Sequence, residues 1–465
     1  MRSSATVTPE PATLPAENAV ESTNSPSTLL GRMPIGHADH RGCPVSGADH
    51  SAVDAFERAL AAFVSWRGGA QADLALALDA APGFTMAHAL KAYLQVCSRD
   101  PESIASARPV LTHAASLPSK PRERLHLAAI AAAIDGDFEA AKSRLGECVN
   151  EHPRDLLALH VVQVFDHFTG DVERMRQRPA QVLPAWSQDL PGYSSLLTMQ
   201  AFGLVEAGEF ERAEDMAGHA LTLDATDPRT HHVMAHVFEM TGRPDAGLRW
   251  MMDRIVRPGI EEHFTIHCWW HLALFHLARG EVDDALGLYG RRVRPIRTTD
   301  VADLIDATSL LWRIDLCGGR AGTRWGELAA AWAPHIDDRF CSFNDLHAAL
   351  AFVGAQDWSA ALRLERSLIS AQSLPTRHGL TTRQVGLPAC RALIAFGQGD
   401  DTLATTLLAS LPGVARRLGG SHAQRDVLYL TLMRAIERLR RPARRPLHGH
   451  EQAPRRPGSP VTEAA

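Results

Sequence analysis

Between residues 49 and 437 the apolar positions recur every three or four residues, in blocks of about a dozen, which predicts one amphipathic helix after another. The blocks are punctuated by a recurring Gly-acidic or Gly-basic step: Gly136-Asp137-Phe138, Gly170-Asp171-Val172, Gly208-Glu209-Phe210, Gly242-Arg243-Pro244, Gly280-Glu281-Val282 and Gly399-Asp400. The first five steps are 34, 38, 34 and 38 residues apart. Such a step suits a turn in which Gly takes the left-handed conformation and the acid caps the next helix. Small residues follow at helical spacing (Ala140 and Ala141, Ala213, Ala246, Ala285), so the second helix of a pair can pack close to the first. His152-Pro153-Arg154-Asp155 and Thr226-Asp227-Pro228 break the chain before the next pair, since Pro starts a helix well but cannot continue one.

One helix–turn–helix every 34 to 38 residues is the tetratricopeptide period or slightly over it. The expected fold is all-α: a tetratricopeptide-like α-solenoid, a right-handed superhelix of helix pairs with an inner groove, in which each pair needs its neighbours to cover its apolar face. Gly354, Asp357, Trp358, Ala360 and Ala361 suggest a further repeat at about 345–370, and the weaker spacing at 290–340 suggests an irregular helical segment. Residues 1–48 and 438–465 offer little apolar surface and read as disordered tails. The second tail is Pro-rich and carries Arg444, Arg445, Arg455 and Arg456, a solvated end rather than a built anion site.

Composition narrows the function classes. Hydrophobic residues make up 45% of the 465, enough for a large core, and a net charge of −5 gives no reason to expect nucleic acid or an acidic membrane. The seven cysteines are scattered, odd in number and without a CxxC, which argues against a disulfide framework or a thiolate zinc site and fits a reducing cytoplasm. The chain shows no apolar signal region near residue 1 and no uncharged run of membrane-spanning length.

Histidine changes the picture. His232 and His236 are four apart, as are His267 and His271, and that spacing puts each pair on one helix face, one turn apart. Both pairs precede a repeat turn, at Gly242 and Gly280, and so belong to the first helices of successive repeats, which line the groove in a tetratricopeptide stack. Four imidazoles facing one cavity suit a divalent metal such as zinc, iron or copper, or proton transfer and anion binding on a small molecule. Taken singly, each pair is also compatible with ordinary interhelix hydrogen bonding. No HExxH occurs, because Val233 and Cys268 follow the first histidines. Cys268 is rotated off the His267/His271 face by about 100° and reads as a packed thiol. Trp269 and Trp270 read as core, one of them a candidate wall of the groove, while His231 faces elsewhere and His276 is structural.

Further polar groups sit in apolar helical context. Asp306 and Arg313, seven apart, share a helix face. Asn344, Asp345 and His347 begin a helix, with Asp345 a candidate cap. Ser421 and Gln424 fit a capping box, which leaves His422, Arg425 and Asp426 unexplained.

Several blocks resemble the tetratricopeptide repeat protein 38 family: Gly83-Phe84-Thr85-Met86-Ala87-His88, Val182-Leu183-Pro184-Ala185-Trp186 with Pro191-Gly192-Tyr193, His232 through Met240, His267 through His276, Leu311-Trp312-Arg313, Phe343 through Ala348, and Gly420 through Asp426. The resemblance covers most of residues 50–435; the two HxxxH blocks and the last block are its specific parts. It implies an α-solenoid of tetratricopeptide-like pairs and groups the same polar residues, but carries no reaction. The family has Asn where this chain has Cys268.

Two functions follow as expectations. In one, His232, His236, His267, His271, Asp306, Arg313, His347, His422 and Arg425 line a pocket for a small-molecule or metal ligand. The four paired histidines are then the metal ligands, and Arg313 and Arg425 anchor a carboxylate or phosphate. In the other, the groove is a protein-interaction scaffold for a peptide or partner protein and the histidines are structural. Peptide grooves of this fold need Lys, Arg and Asn on the first helices, where this chain has His and aromatics.

Overall fold

A computed structural model describes residues 37–255 and 265–440. The tail residues 1–36 and 441–465, with the four tail arginines, lie outside the described residues. The described chain is all-helical and consistent with an α-solenoid; its sole strand-like feature is an isolated bridge between Ala38 and Pro44.

The expected pairs are present, among them Pro121–Ile134 with Phe138–Glu151, Pro228–Met240 with Pro244–Ile255, Ile266–Ala278 with Val282–Leu288, and Ser342–Gly354 with Trp358–Ala371. Gly242 and Gly280, which end the two histidine helices, have φ of 66° and 79°, a region closed to most side chains. The acid of the turn caps the next helix only where it is Asp: Asp137, Asp171, Asp357 and Asp400 accept from backbone N–H groups three residues on. Glu209 and Glu281 make no such bond, because the extra methylene carries the carboxylate past the helix end. In the stretch 290–340 the chain passes through a π-turn at Tyr289–Val293, then forms Val301–Leu316 and Arg324–Trp332.

Residues 37–48, assigned to the N-terminal tail on composition, pack on the first helices. Arg41 forms a buried two-pronged pair with Glu57, at 2.7 and 2.8 Å. The N–H of Ser46 donates to Glu123, and Lys120 Nζ donates to the carbonyl of Val45. These polar contacts thus add to the burial of Cys43 and Val45 in holding the segment.

Two apolar cores run through the helices and overlap between Met175 and Met199. The row of pairs also folds back on itself. Gly420 donates to the carbonyl of His167 at 3.2 Å, Asn344 Nδ2 donates to the carbonyl of Arg99, and Arg67 pairs with Asp224. Gly419 lies so close to helix Leu156–Thr169 that a Cβ would sit 2.3 Å from the carbonyl oxygen of Phe168. This return packs residues 419–420 against the helix Leu156–Thr169.

Candidate metal centre and ligand cavity

Pro228 starts the first histidine helix, with Asp227 capping it through the N–H of Arg229; Thr265 caps the second through the N–H of Cys268. Each helix carries its two imidazoles one turn apart, and packing of the two helices brings all four together. One nitrogen from each of His232, His236, His267 and His271 lies within 4.8 Å of the others. His232 Nε2 and His236 Nε2 are 2.9 Å apart, and the rings of His236 and His271 have centroids 4.4 Å apart. His232, His236 and His271 are buried, while His267 is half-buried.

Two carboxylates orient the second pair. His267 Nδ1 is 2.9 Å from both oxygens of Asp306, and His271 Nδ1 is 3.1 Å from Glu239 Oε2. A Nδ1–H given to a carboxylate leaves Nε2 with its lone pair, the arrangement that metal-binding imidazoles use. His271 Nε2 and His236 Nδ1 are buried with no hydrogen-bond partner. Burial first, and then the charge of neighbouring imidazoles, holds His232, His236 and His271 well below the usual histidine range, so they are neutral at pH 7. Burial pushes the Glu239 carboxyl up to about 7. Trp270 stacks on His267 with ring planes 10° apart and meets His271 edge-on. Trp269 is core, and so is Cys268, whose thiol burial pushes up to about 12.

Three of these histidines, with Asp306, form one wall of a cavity of about 620 Å³. Its other walls are mostly apolar and aromatic. Phe202 contacts both His232 and His236, and Trp66 contacts His232. The facing helix, Leu156–Thr169, contributes His160, Gln163, Val164, His167 and Phe168, a full helical stripe. Glu239, the partner of His271, borders a second cavity of about 640 Å³ with Arg313 and Asp426.

The remaining sequence candidates fall elsewhere. Arg313 shares its helix with Asp306 but lies two turns, about 10 Å, along it. Its guanidinium is taken by Ser309, the carbonyl of Ala423 and the Asp426 carboxylate. Arg425 is engaged by Glu206 at 3.2 Å and by the carbonyl of Gly420, which leaves little for a ligand. The His422 N–H donates to Glu206, and its side chain is exposed outside the first cavity. His347 is fully buried, donates from Nδ1 to the carbonyl of Phe343, and is pulled down to about 3 by burial. Asp345 is no cap: His378 Nε2–H donates to it at 2.9 Å inside the core. Ser421 and Gln424 form the expected capping box. His276 pairs with Glu281, and His231 Nε2 meets the carbonyl of Ala225.

Glu239, His160, Gln163, His167 and Arg229 did not stand out in the sequence. The seven-residue spacing of His160 and His167 was the one signal available. A second buried group, His126 with Cys148 and Asp155, is held by Arg122 and Tyr93. Burial pushes the Cys148 thiol far up, so it is a protonated structural contact rather than a nucleophile.

No family model matches the chain. Among the described residues no helix is long and apolar enough to cross a membrane.

Proposed function

We propose that this chain is a tetratricopeptide-like repeat protein, related to the tetratricopeptide repeat protein 38 family, that binds a divalent transition metal on His232, His236, His267 and His271. The metal stands beside a pocket for a small molecule. The observation that carries this reading is the four-imidazole cluster itself, with one nitrogen of each ring inside 4.8 Å and two rings oriented by carboxylates. Metal ligation needs neutral imidazoles, and burial supplies them. Small rotations would bring four nitrogens to the roughly 2.0–2.1 Å from a common centre that zinc requires.

A cation among these rings favours the ionised form of Glu239, which then accepts from His271 Nδ1. His232, His236 and His267 also border the cavity of about 620 Å³, so a molecule held there can reach the metal. A divalent ion would supply Lewis acidity toward an oxygen of that molecule. The scaffold reading gains less support, because three of the four histidines are buried too deeply to meet a partner protein.

Cobalt(II) titration of the metal-stripped protein tests the proposal. One equivalent should give the intense visible bands of a four-coordinate nitrogen site. A titration that shows only the pale spectrum of hydrated cobalt rejects it.

A further inference from the structure

Among the described residues seven arginines are buried: Arg41, Arg99, Arg122, Arg229, Arg294, Arg313 and Arg425. Five of them pair with a carboxylate, from Glu57, Asp155, Glu327, Asp426 and Glu206 in turn. Arg99 and Arg229 form no ion pair among the described residues, and both border the cavity of about 620 Å³ beside the histidine cluster. A buried cation without a paired carboxylate is costly, so two of them on one cavity need explaining.

The groups that hydrogen-bond the Arg229 guanidinium are neutral, and the Asp227 carboxylate acts on it only at longer range, without an ion pair. Arg229 Nη1 donates to the carbonyl of Val64 at 3.1 Å and to His160 Nδ1 at 2.9 Å, and Nη2 donates to Gln163 Oε1 at 2.9 Å. These bonds fix the guanidinium but leave its charge standing, and burial pulls Arg229 down to about 10. Arg99 is 8% exposed and lies between two rings, its guanidinium carbon 4.1 Å from the Phe168 centroid and 4.8 Å from that of Phe343. Its side chain reaches no carboxylate.

The acidic groups on the same cavity are already engaged. Asp306 accepts from His267, Asp303 accepts from Thr298, and the third cation, Arg67, is paired with Asp224. The charge left over on the wall is therefore positive, set in an apolar surface that includes Phe63, Trp66 and Phe202.

We infer that the cavity takes an organic anion, a carboxylic acid with an apolar and preferably aromatic body, whose charge is met by Arg229 and Arg99. The acid group replaces the missing counter-ions, and the rings of the wall cover the body. Inorganic phosphate shares the charge but has no apolar part to bury. The inference rests on the proposed reading of this cavity as a ligand pocket, though not on the metal being bound.

The test uses the metal-stripped full chain and isothermal titration with four carboxylates (benzoate, phenylacetate, 4-phenylbutanoate and decanoate), each matched with its primary amide, plus inorganic phosphate. At least one acid should bind ten times more tightly than its amide and more tightly than phosphate. Arg99→Gln and Arg229→Gln should each remove about tenfold of the acid's affinity and leave the amide's unchanged, while Arg229→Lys should keep part of the preference. Should Arg229→Gln unfold, Arg99→Gln carries the test, since that side chain holds no carboxylate in place. Equal binding of every acid and its amide, no binding by any acid, tighter binding of phosphate, or a preference that survives in Arg99→Gln would each overturn the inference. Acid preference in a protein that takes up no cobalt sinks the metal site alone; cobalt uptake without acid preference sinks this inference alone.

Discussion

His232 and His236 hold their Nε2 atoms 2.9 Å apart, one turn from each other on the same helix. Two imidazoles can sit so only if at least one presents a lone pair, and burial of both disfavours charge on either. With His271 closing on His236 from the first helix of the next pair, the cluster is a set of nitrogen donors packed tightly enough to share one ion.

The carboxylates behind the cluster should tune it. Asp306→Asn and Glu239→Gln remove the charge that fixes the Nδ1–H of His267 and His271. Loss of such a partner lowers metal affinity by roughly 10–100-fold. Competition with a chromophoric chelator measures this directly. Affinities unchanged in both variants would mean that these contacts do not orient metal ligands.

The stability of the fold should fall in acid through His347. Its folded value is pulled down to about 3 from an ordinary value of 6.5. A depressed histidine favours the folded state fully above pH 6.5, and that contribution drains away as pH falls toward 3. At about 1.4 kcal/mol per pH unit, the loss between pH 6.5 and pH 4 is on the order of 3 kcal/mol for this one group. Urea unfolding at pH 7, 5.5 and 4 should show a shallower pH dependence in His347→Gln than in the parent. Parallel curves would contradict the assignment.

Arg425 should prove structural rather than ligand-binding. Removing it in Arg425→Gln leaves the deeply buried Glu206 carboxylate without its cation, which costs about 3 kcal/mol or more. Metal stoichiometry should stay at the parent level in protein that remains folded at low temperature. A variant of full stability and lost metal would reverse this view.

Gly419→Ala probes the closure of the chain on itself. The residue has φ of 77°, and the added Cβ would strike the carbonyl of Phe168. The substitution should destabilise by more than about 1 kcal/mol and loosen the loop over the cavity, seen as faster hydrogen exchange at 415–426. Parent-like exchange would show that the contact does not hold the loop.

What was legible in the sequence was whatever depends on local period. The helix pairs followed from the Gly turns, and the two histidine pairs from their i, i+4 spacing, because both are properties of neighbouring residues. The family resemblance grouped the same blocks without placing them. Arg313 and Arg425 looked like ligand anchors because an unpaired charge in an apolar helix stands out in sequence. Their partners, Asp426 and Glu206, lie 113 and 219 residues away. Glu239 closes on His271 across 32 residues, and Arg229 reaches His160 across 69, so neither contact leaves a periodic trace. The position of residues 37–48 was hidden for a related reason: their composition is that of a tail, and their anchors, such as Glu57 for Arg41 and Glu123 for Ser46, lie 16 and 77 residues away.

The central claim is that the four histidines hold one metal ion, and zinc stoichiometry tests it most directly. Protein stripped with a chelator, incubated with excess zinc and freed of unbound metal is analysed by mass spectrometry for metal per chain. The account predicts one zinc per parent chain, and none in His236→Ala and His271→Ala variants that keep the parent's far-ultraviolet circular dichroism. A parent chain that retains no zinc, or folded variants that retain as much as the parent, would contradict it.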